Sequence, residues 1–300
     1  MFYDKSSPSV PYTSFKRAVN ETIARLLGGV EPAGLRRALM HGTVGGKRVR
    51  PVLTMLSCSA AGGNALDALH AATAIELLHT SSLVHDDIMD NADLRRGVPS
   101  IHSRFGTPMG ILAGDTLIAL AFQLVQKGSS PAKDRILSRF TKAFLHTCEG
   151  QGYDLALAFG TETSPEAHRL MVEKKTARLM EAAAAIGGMI GTTNEDHALA
   201  LGRFGFDLGM AFQAKDDLLD LVGDEKALGK PVQVDRRNGK MTYVSLAAPG
   251  RSQEDQRVAE VADRVEELTR SACSALDALP PSPDRENLKA IAYALLERQH

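Results

Sequence analysis

The fold is decided by one stretch of the sequence, IELLHTSSLVHDDIMD, which spans residues 75–90. It is rich in aliphatic residues, contains no proline and ends in the acidic pentad Asp86-Asp87-Ile88-Met89-Asp90, a pattern typical of a buried helix. Carboxylates at positions i, i+1 and i+4 crowd onto nearly one helix face, where their charges repel unless a cation bridges them. The stretch therefore predicts a core helix that presents carboxylates to a metal ion in a cavity.

A second pentad with the same spacing, Asp216-Asp217-Leu218-Leu219-Asp220, follows an apolar run at 208–212. A single pentad of this kind is equally well explained as a solvated acidic face or as the first turn of a helix. Two copies, each behind an apolar run without proline, favour two metal-binding sites, because carboxylates on buried elements need cationic partners.

Short basic clusters accompany the two pentads along the chain. They are Gly46-Lys47-Arg48-Val49-Arg50, Arg95-Arg96, Lys174-Lys175, Gly229-Lys230 and Gly239-Lys240. Arginine binds two phosphate oxygens at once and lysine provides a mobile point charge, although any single basic pair is better explained as a surface ion pair. Together, the clusters and the pentads indicate a site for a ligand with several phosphates, some bound through divalent metal and others directly.

These motifs give the chain a resemblance to a known family. The matching segments are Gly46-Lys47-Arg48, residues 83–97, the Ala113-Gly114-Asp115 turn, Lys175-Thr176-Ala177, residues 212–220 and Gly239-Lys240. In this order and spacing the chain resembles the trans-isoprenyl diphosphate synthases of the polyprenyl synthetase family, of the geranylgeranyl or longer-chain type. The resemblance implies a prenyltransferase. In its reaction an allylic diphosphate ionises, the double bond of isopentenyl diphosphate attacks the carbocation, and loss of a proton gives a longer all-trans polyprenyl diphosphate.

The resemblance also implies that the pentads bind Mg²⁺, with three ions in each active site. The implied direct ligands are Asp86, Asp90 and Asp216, while Asp87, Asp217 and Asp220 bind metal in or near the next layer, where they hold metal-bound waters. Bound Mg²⁺ stabilises the charge that develops on the departing pyrophosphate.

The basic and polar residues are divided by the same resemblance between two substrates. The allylic diphosphate is bound by Arg95, Lys175, Gln213, Lys230 and Lys240, and isopentenyl diphosphate by Lys47, Arg50, His79 and Arg96. The catalytic residues are Asp86, Asp90, Asp216, Lys175, Thr176 and Gln213, with Thr176 stabilising the carbocation. On spacing alone His79 is better explained as a core histidine, and only the resemblance makes it a ligand. His85 keeps the core explanation.

Product length is indicated by Ser81 and Ser82, five and four residues before Asp86, where animal-type farnesyl enzymes of this family carry aromatic residues. One helical turn rises about 5.4 Å, roughly one isoprene unit, so bulk at these positions would stop a growing chain, whereas serine lets it pass. We therefore predict a product of C20 or longer. The candidates for the pocket floor are Leu78 and Ile75 further along the helix, or Leu117, Leu120 and Phe122 on a neighbouring one.

Four alternative functions share some of these features. A farnesyl diphosphate synthase differs only in product length. A class I terpene cyclase or head-to-head condensing enzyme shares the acidic helix but needs no separate metal-free diphosphate pocket. A metal phosphohydrolase built on His85-Asp86 leaves the second pentad unexplained. A non-catalytic synthase subunit typically loses pentad aspartates or basic clusters, and none is missing here.

Composition limits the partners. The net charge of −1 and the absence of a basic stripe give no sign of nucleic-acid binding. Three widely spaced cysteines without CxxC spacing suggest free thiols in a reducing compartment. Because there is neither an apolar signal segment nor an apolar run near 18 residues, we expect a cytoplasmic protein without a membrane span. Its expected partners are the two diphosphate substrates and, by resemblance, a second copy in a homodimer.

The predicted fold class is all-α, because strand signals are nearly absent while Ala, Leu, Met and Glu recur at helical spacing. Helices are predicted near residues 13–27, 32–40, 47–61, 65–92, 107–127, 132–159, 165–190, 194–222, 252–278 and 284–298. No linker divides the chain, so residues 1–300 are expected to form a single polyprenyl synthetase domain. This domain is expected to be a helical bundle of the isoprenoid synthase type, with a central cavity between the helices that bear the two pentads.

Overall fold

The computed structural model of the protein describes residues 10–222 and 251–296, and nearly all of this part of the chain is helical. The α-helices are α1 (Val10–Gly28), α2 (Ala33–Thr43), α3 (Val49–Ala60), α4 (Leu69–Met89), α5 (Ile101–Phe105), α6 (Thr107–Lys127), α7 (Lys133–Ala158), α8 (Pro165–Val172), α9 (Arg178–Gly191), α10 (Glu195–Val222), α11 (Arg251–Ala275) and α12 (Pro283–Leu296). Short 3₁₀ helices lie at Ala65–Ala68 and Leu276–Ala278, and a π-helical turn lies at Glu173–Ala177. The predicted all-α fold is confirmed, and the predicted helices are present with ends shifted by a few residues, except that the single helix predicted at 165–190 is divided into α8, the π-helical turn and α9.

A β-hairpin and a short helix before α6 were not predicted. Strand β1 (Leu94–Arg95) pairs with β2 (Val98–Pro99) in a small antiparallel hairpin, and α5 follows directly. The two turn residues, Arg96 and Gly97, have φ values of 54° and 77°, the left-handed geometry of tight two-residue hairpin turns. Such turns are usually signalled by Asn-Gly or Asp-Gly, and Arg-Gly gives a weaker signal.

The chain divides into two compact units. The first comprises the described residues to Ser138 together with Ile186–Thr193, and the second comprises Arg139–Ala185 together with the described residues from Asn194 onward. The first pentad belongs to the first unit and the second pentad to the second. A single domain over residues 1–300, with a central cavity shared by the pentads, stays a prediction.

The core of the first unit is built around α4, which packs against α3 and α6. From Ala71 to Leu78 every side chain of α4 is buried, Glu76 included. A helix that is buried on all sides needs no polar face, which explains why residues 71–78 are almost entirely uncharged. This burial fixes the orientation of α4 and hence of the pentad at its end.

The core of the second unit is built around α10, which packs along α11 and against the π-helical turn. Phe204, Leu208 and Ala211 are fully buried and recur at helical spacing, so they form a continuous apolar stripe. The stripe continues through Leu218 and so sets which side of α10 faces inward at the second pentad.

Helix α6 corrects one expectation and leaves another open. Ala113-Gly114-Asp115, expected to form a turn, lies inside α6. Glycine at position 114 leaves room for the His85 ring, since a Cβ would lie 2.1 Å from His85 Nε2 and the ring would have to move. By length and composition α6 could also cross a membrane, but core helices of soluble proteins pass the same test, so the absence of a membrane span stays a prediction.

Candidate active site

The first pentad sits at the C-terminal end of α4, where its carboxylates differ in exposure. Asp86 is half-buried, Asp90 is exposed, and Asp87 is only 3% exposed. The buried Asp87 is bonded to Arg95 on the hairpin, which donates from Nε at 2.8 Å and from Nη2 to the same oxygen, Oδ1. One carboxylate of the pentad is therefore fixed by a guanidinium, while Asp86 and Asp90 have access to solvent.

The hairpin turn brings Arg96 against the glycine loop that precedes α3. Arg96 Nη1 donates to the carbonyl of Val44 at 3.3 Å, and its guanidinium lies so close to Gly46 that a Cβ there would be 2.9 Å from Nη1. Gly45 and Gly46 both have positive φ, at 76° and 87°. The loop thus brings exposed Lys47, whose carbonyl accepts from Tyr12, into the same neighbourhood.

His79, one of the residues expected to bind isopentenyl diphosphate, is surrounded by arginines. Its Nε2 lies 3.2 Å from Nη1 of Arg50. Burial lowers the pKa of His79 well below its usual value, and the positive charges of Arg50, Arg96, Arg48 and Arg95 lower it further. The imidazole is therefore neutral near pH 7, so that Nε2 accepts from Arg50 and Nδ1 carries the hydrogen. The positive charge of the arginines around His79 therefore favours the binding of an anion.

Arg48 lies in the same basic motif but faces the core. It is buried, adopts a positive φ of 58°, and forms an ion pair with Glu76 at 2.7 Å. Its Nε also donates to Asn20 Oδ1 at 2.9 Å. We therefore infer that Arg48 holds the glycine loop that precedes α3 against α4. The signal in the sequence was Glu76, a lone acid in an apolar run that needs a buried cation.

The residues expected to set product length lie along α4 before the pentad. Ser81 is buried and its hydroxyl donates to the carbonyl of Leu78 at 2.7 Å; half-buried Ser82 donates likewise to His79 at 2.8 Å. Because both hydroxyls turn back onto their own helix, each serine presents little bulk. Ile75, Leu78 and, on α6, Leu117 are fully buried, while Leu120 and Phe122 are half-buried. Their assignment to the floor of a product pocket stays a prediction.

The expectation of a core environment for His85 is met only in part, because 28% of its side chain is exposed. The ring is half-buried beside Gly114, and its Nε2 lies 3.4 Å from the carbonyl oxygen of Ile111 and 3.6 Å from the carboxylate of Asp115. These contacts connect α4 to α6 immediately before the pentad.

The second pentad lies near the end of α10 and repeats the exposure pattern of the first. Asp216 is exposed, whereas Asp217 is only 5% exposed. Gln213, one turn earlier, donates from Nε2 to Asp217 Oδ1 at 2.9 Å and accepts at Oε1 from the Thr176 hydroxyl at 3.2 Å. Three of the residues singled out in the sequence are thus joined in one hydrogen-bonded chain. His168 on α8 also faces Asp217 and was missed by the sequence analysis.

The Lys175-Thr176 motif lies in the π-helical turn, a conformation that often marks functional sites. Lys175 Nζ donates to Asp154 at 2.7 Å, and neighbouring Lys174 pairs with Glu149 at the same distance. Gly150 on α7 permits this turn to approach, because a Cβ at that position would lie 2.3 Å from the backbone nitrogen of Lys175.

Three predicted site residues cannot be placed. Lys230 and Lys240 lie outside the described residues, as does the side chain of Asp220, whose backbone continues α10. Within residues 10–222 and 251–296 no three Asp, Glu, His or Cys side chains are gathered into a metal-binding group. The roles assigned to the site residues from the sequence stay predictions.

Known proteins resemble the chain over nearly its whole length. The family model described as polyprenyl synthetase matches residues 32–277. The short chain isoprenyl diphosphate synthase of Methanothermobacter thermautotrophicus is 37% identical, covering 95% of this chain and 97% of that protein. The farnesyl diphosphate synthase of Geobacillus stearothermophilus is 38% identical over 77% of this chain and 81% of its own length. The crystal structure of geranylgeranyl pyrophosphate synthetase from Pyrococcus horikoshii Ot3 superposes with a TM-score of 0.89 at 36% identity, covering 96% of this chain and 97% of that one. The chain therefore belongs to the polyprenyl synthetase family.

Proposed function

We propose that this protein is a trans-prenyltransferase that condenses an allylic diphosphate with isopentenyl diphosphate, releases pyrophosphate, and makes an all-trans polyprenyl diphosphate of C20 or longer. The observation that carries the proposal is a pair of distinct anion-binding chemistries in the first unit. One is a helix end with solvent-accessible carboxylates, suited to a metal-bound diphosphate. The other is a neutral histidine among arginines, suited to a diphosphate without metal.

Mg²⁺, three ions per site, is the metal we propose for the pentads, and the donors fit it. Asp86, Asp90 and Asp216 offer hard carboxylate oxygens that are half-buried or exposed. Mg²⁺ is commonly bound through one or two carboxylates plus substrate phosphates and waters, so a ready-made group of three protein donors is not required. When bound, it acts as a Lewis acid that stabilises the leaving pyrophosphate.

Asp87, Asp217 and Asp220 would hold waters of the metal ions. For the first two, burial supports this role, because a carboxylate turned into the protein acts through its partners more readily than by direct ligation.

The allylic diphosphate is assigned to Arg95, Lys175, Lys230, Lys240 and Gln213. Arg95 uses Nε and Nη2 on Asp87, so its Nη1 is oriented by that bond and available for a phosphate oxygen. Lys175 is similarly oriented by Asp154. Thr176 follows it in the π-helical turn, a conformation frequent at functional sites, and is assigned to stabilising the carbocation. In this arrangement the departing pyrophosphate is the proton acceptor.

Isopentenyl diphosphate is assigned to Lys47, Arg50, His79 and Arg96. Keeping His79 neutral preserves an acceptor for Arg50 and a ring N–H for hydrogen bonding, while the surrounding guanidinium groups supply the positive charge. Because this substrate keeps its diphosphate, its pocket needs positive charge but no Lewis acid.

A product of C20 or longer is supported by the small side chains at Ser81 and Ser82 and by the geranylgeranyl name of the Pyrococcus horikoshii protein. A farnesyl product is the alternative, and the Geobacillus stearothermophilus relative carries that name. That relative matches a smaller share of the chain, and Ser81 leaves the helix face without the bulk that would stop a chain early.

The purified chain tests the proposal directly. With Mg²⁺, labelled isopentenyl diphosphate and C5, C10 or C15 allylic primers, we expect chain extension to C20 or longer, lost on chelation of Mg²⁺. Asp86→Ala and Asp216→Ala should each reduce turnover by about 10²–10³-fold, the scale on which transition-state charge stabilisation acts. Accumulation of C15 as the end product would establish the farnesyl alternative. Phosphate release without condensation would indicate a phosphohydrolase, and an inactive wild type would indicate a supporting subunit.

A homodimer is the assembly we propose. Helix α6 is strongly apolar, and two of its large apolar side chains, Ile111 and Leu112, are 47% and 53% exposed. Adjacent large apolar side chains on the surface of one helix are typical of a partner-binding surface, and the partner implied by the family is a second copy of the chain.

A further inference from the structure

His168 is a buried histidine to which nothing above assigns a role. It lies on α8 and is 1% exposed. Its Nε2 is 3.8 Å from Oδ2 of Asp217, which is itself buried. A buried histidine is most often part of the core, so the question is whether this contact also serves the second pentad.

The two oxygens of Asp217 are held from two different elements. Gln213 on α10 itself donates to Oδ1, and His168 on α8 faces Oδ2. The 3.8 Å separation is longer than a hydrogen bond, so His168 Nε2 is a polar neighbour of the carboxylate that limits where Oδ2 can move. With both oxygens confined, the carboxylate has little freedom to turn toward solvent.

The first pentad provides a second example of the same arrangement. Asp87, the second aspartate there, is buried and held by Arg95, just as Asp217 is buried and faces His168. In both pentads the first aspartate is more accessible to solvent than the second. In each pentad a buried aspartate therefore lies against a nitrogen atom of a side chain on another element.

We propose that His168 is a positioning residue for the second pentad. By confining Asp217, His168 holds the hydrogen-bonded series of side chains that runs from Asp217 through Gln213 to Thr176. It thereby also fixes the face of α10 from which Asp216 would reach metal and diphosphate. This inference rests on the proposed function, because it concerns the metal and pyrophosphate that the second pentad would bind. His168 itself touches neither substrate nor metal.

The test measures Mn²⁺ binding in the presence of inorganic pyrophosphate, by electron paramagnetic resonance, so that it does not depend on turnover. His168→Asn is too short to reach Asp217, and we expect it to weaken Mn²⁺ binding by about 10-fold or more, the scale found when groups that orient metal ligands are removed. His168→Gln keeps an N–H within reach and should stay within about threefold of wild type. The KM for isopentenyl diphosphate should be unchanged in both variants. If the Asn variant does not fold, His168→Phe, which keeps the ring volume without a donor, takes its place.

His197→Ala is the matched control, because His197 is a half-buried histidine in the first turn of α10, far along the helix from the pentad. It should bind Mn²⁺ as wild type does. Unchanged Mn²⁺ binding in the Asn variant, or equal losses in the Asn and Gln variants, would make His168 a core residue and overturn the proposal. A wild type that binds Mn²⁺ and pyrophosphate but yields such a result refutes only this inference. A wild type that neither binds them nor turns over refutes the proposed function itself.

Discussion

Asp87 and Asp217 have the same place in their pentads and the same burial, although their partners differ in chemistry. Arg95 donates two hydrogen bonds to Asp87, whereas His168 is shorter and lies 3.8 Å from Asp217. The two buried aspartates are thus held by different kinds of contact. At the scale of single residues, the resemblance implied a division of the aspartates into direct metal ligands and residues that hold metal-bound waters, but the burial of Asp87 and Asp217 and the identity of their partners required coordinates.

Ser81 provides the residue-scale prediction on product length. Ser81→Phe places an aromatic ring where a buried hydroxyl now bonds its own helix, so the growing chain should be stopped earlier and the main product should shift from C20 or longer toward C15. Products are measured by chromatography after dephosphorylation. We expect a cost in stability of about 1–3 kcal/mol from overpacking, visible in thermal unfolding.

Ser81→Ala is the control, because it removes the hydroxyl without adding bulk and should leave product length unchanged. A Phe variant that folds and still makes the wild-type product would show that the pocket does not pass along this face of α4.

The π-helical turn shows why some elements could not be predicted. The sequence 165–190 has an uninterrupted helical pattern, and one helix was expected there. The extra residue per turn arises where Gly150 on α7 and Gly209 on α10 allow other helices to approach the backbone of Lys175 and Ala177. Such contacts are tertiary and leave no local signal. The long helices, by contrast, were predictable because their apolar residues recur over many turns.

At the scale of elements, Gly150→Ala should distort the turn. Its Cβ would lie 2.3 Å from the nitrogen and 2.7 Å from the Cα of Lys175, and backbone cannot move aside as a flexible side chain can. We expect a loss of about 1–3 kcal/mol in the free energy of unfolding and a fall in kcat, because Lys175 and Thr176 are displaced. Denaturant unfolding and steady-state kinetics measure the two effects.

Gly152→Ala is the matched control on the same helix, since a Cβ there meets nothing within 4 Å. It should leave kcat unchanged and raise stability by up to about 1 kcal/mol, through the better helix propensity of alanine. If Gly150→Ala and Gly152→Ala had the same kcat and the same stability, the close approach of Gly150 to Lys175 would not matter for function.

For the whole molecule, the exposed pair on α6 predicts the assembly. Leu112→Lys adds a charge to an apolar patch, so a dimer formed through it should dissociate to monomer. Light scattering coupled to size exclusion measures the mass. Leu66→Lys is the control, because Leu66 is 58% exposed in a 3₁₀ helix and should leave the dimer intact. A monomeric wild type, or dissociation by the control alone, would contradict the assignment.

The turn residue Arg96 has a consequence for any attempt to engineer this enzyme. Its φ of 54° is a conformation that glycine or asparagine adopts with less strain, so either replacement would relax the backbone. The guanidinium against Gly46 would be lost in the same step. By the role proposed for Arg96, screening for heat tolerance alone would therefore favour variants at position 96 that melt later and capture less isopentenyl diphosphate. Under that proposal, thermostability and substrate affinity are opposed at position 96.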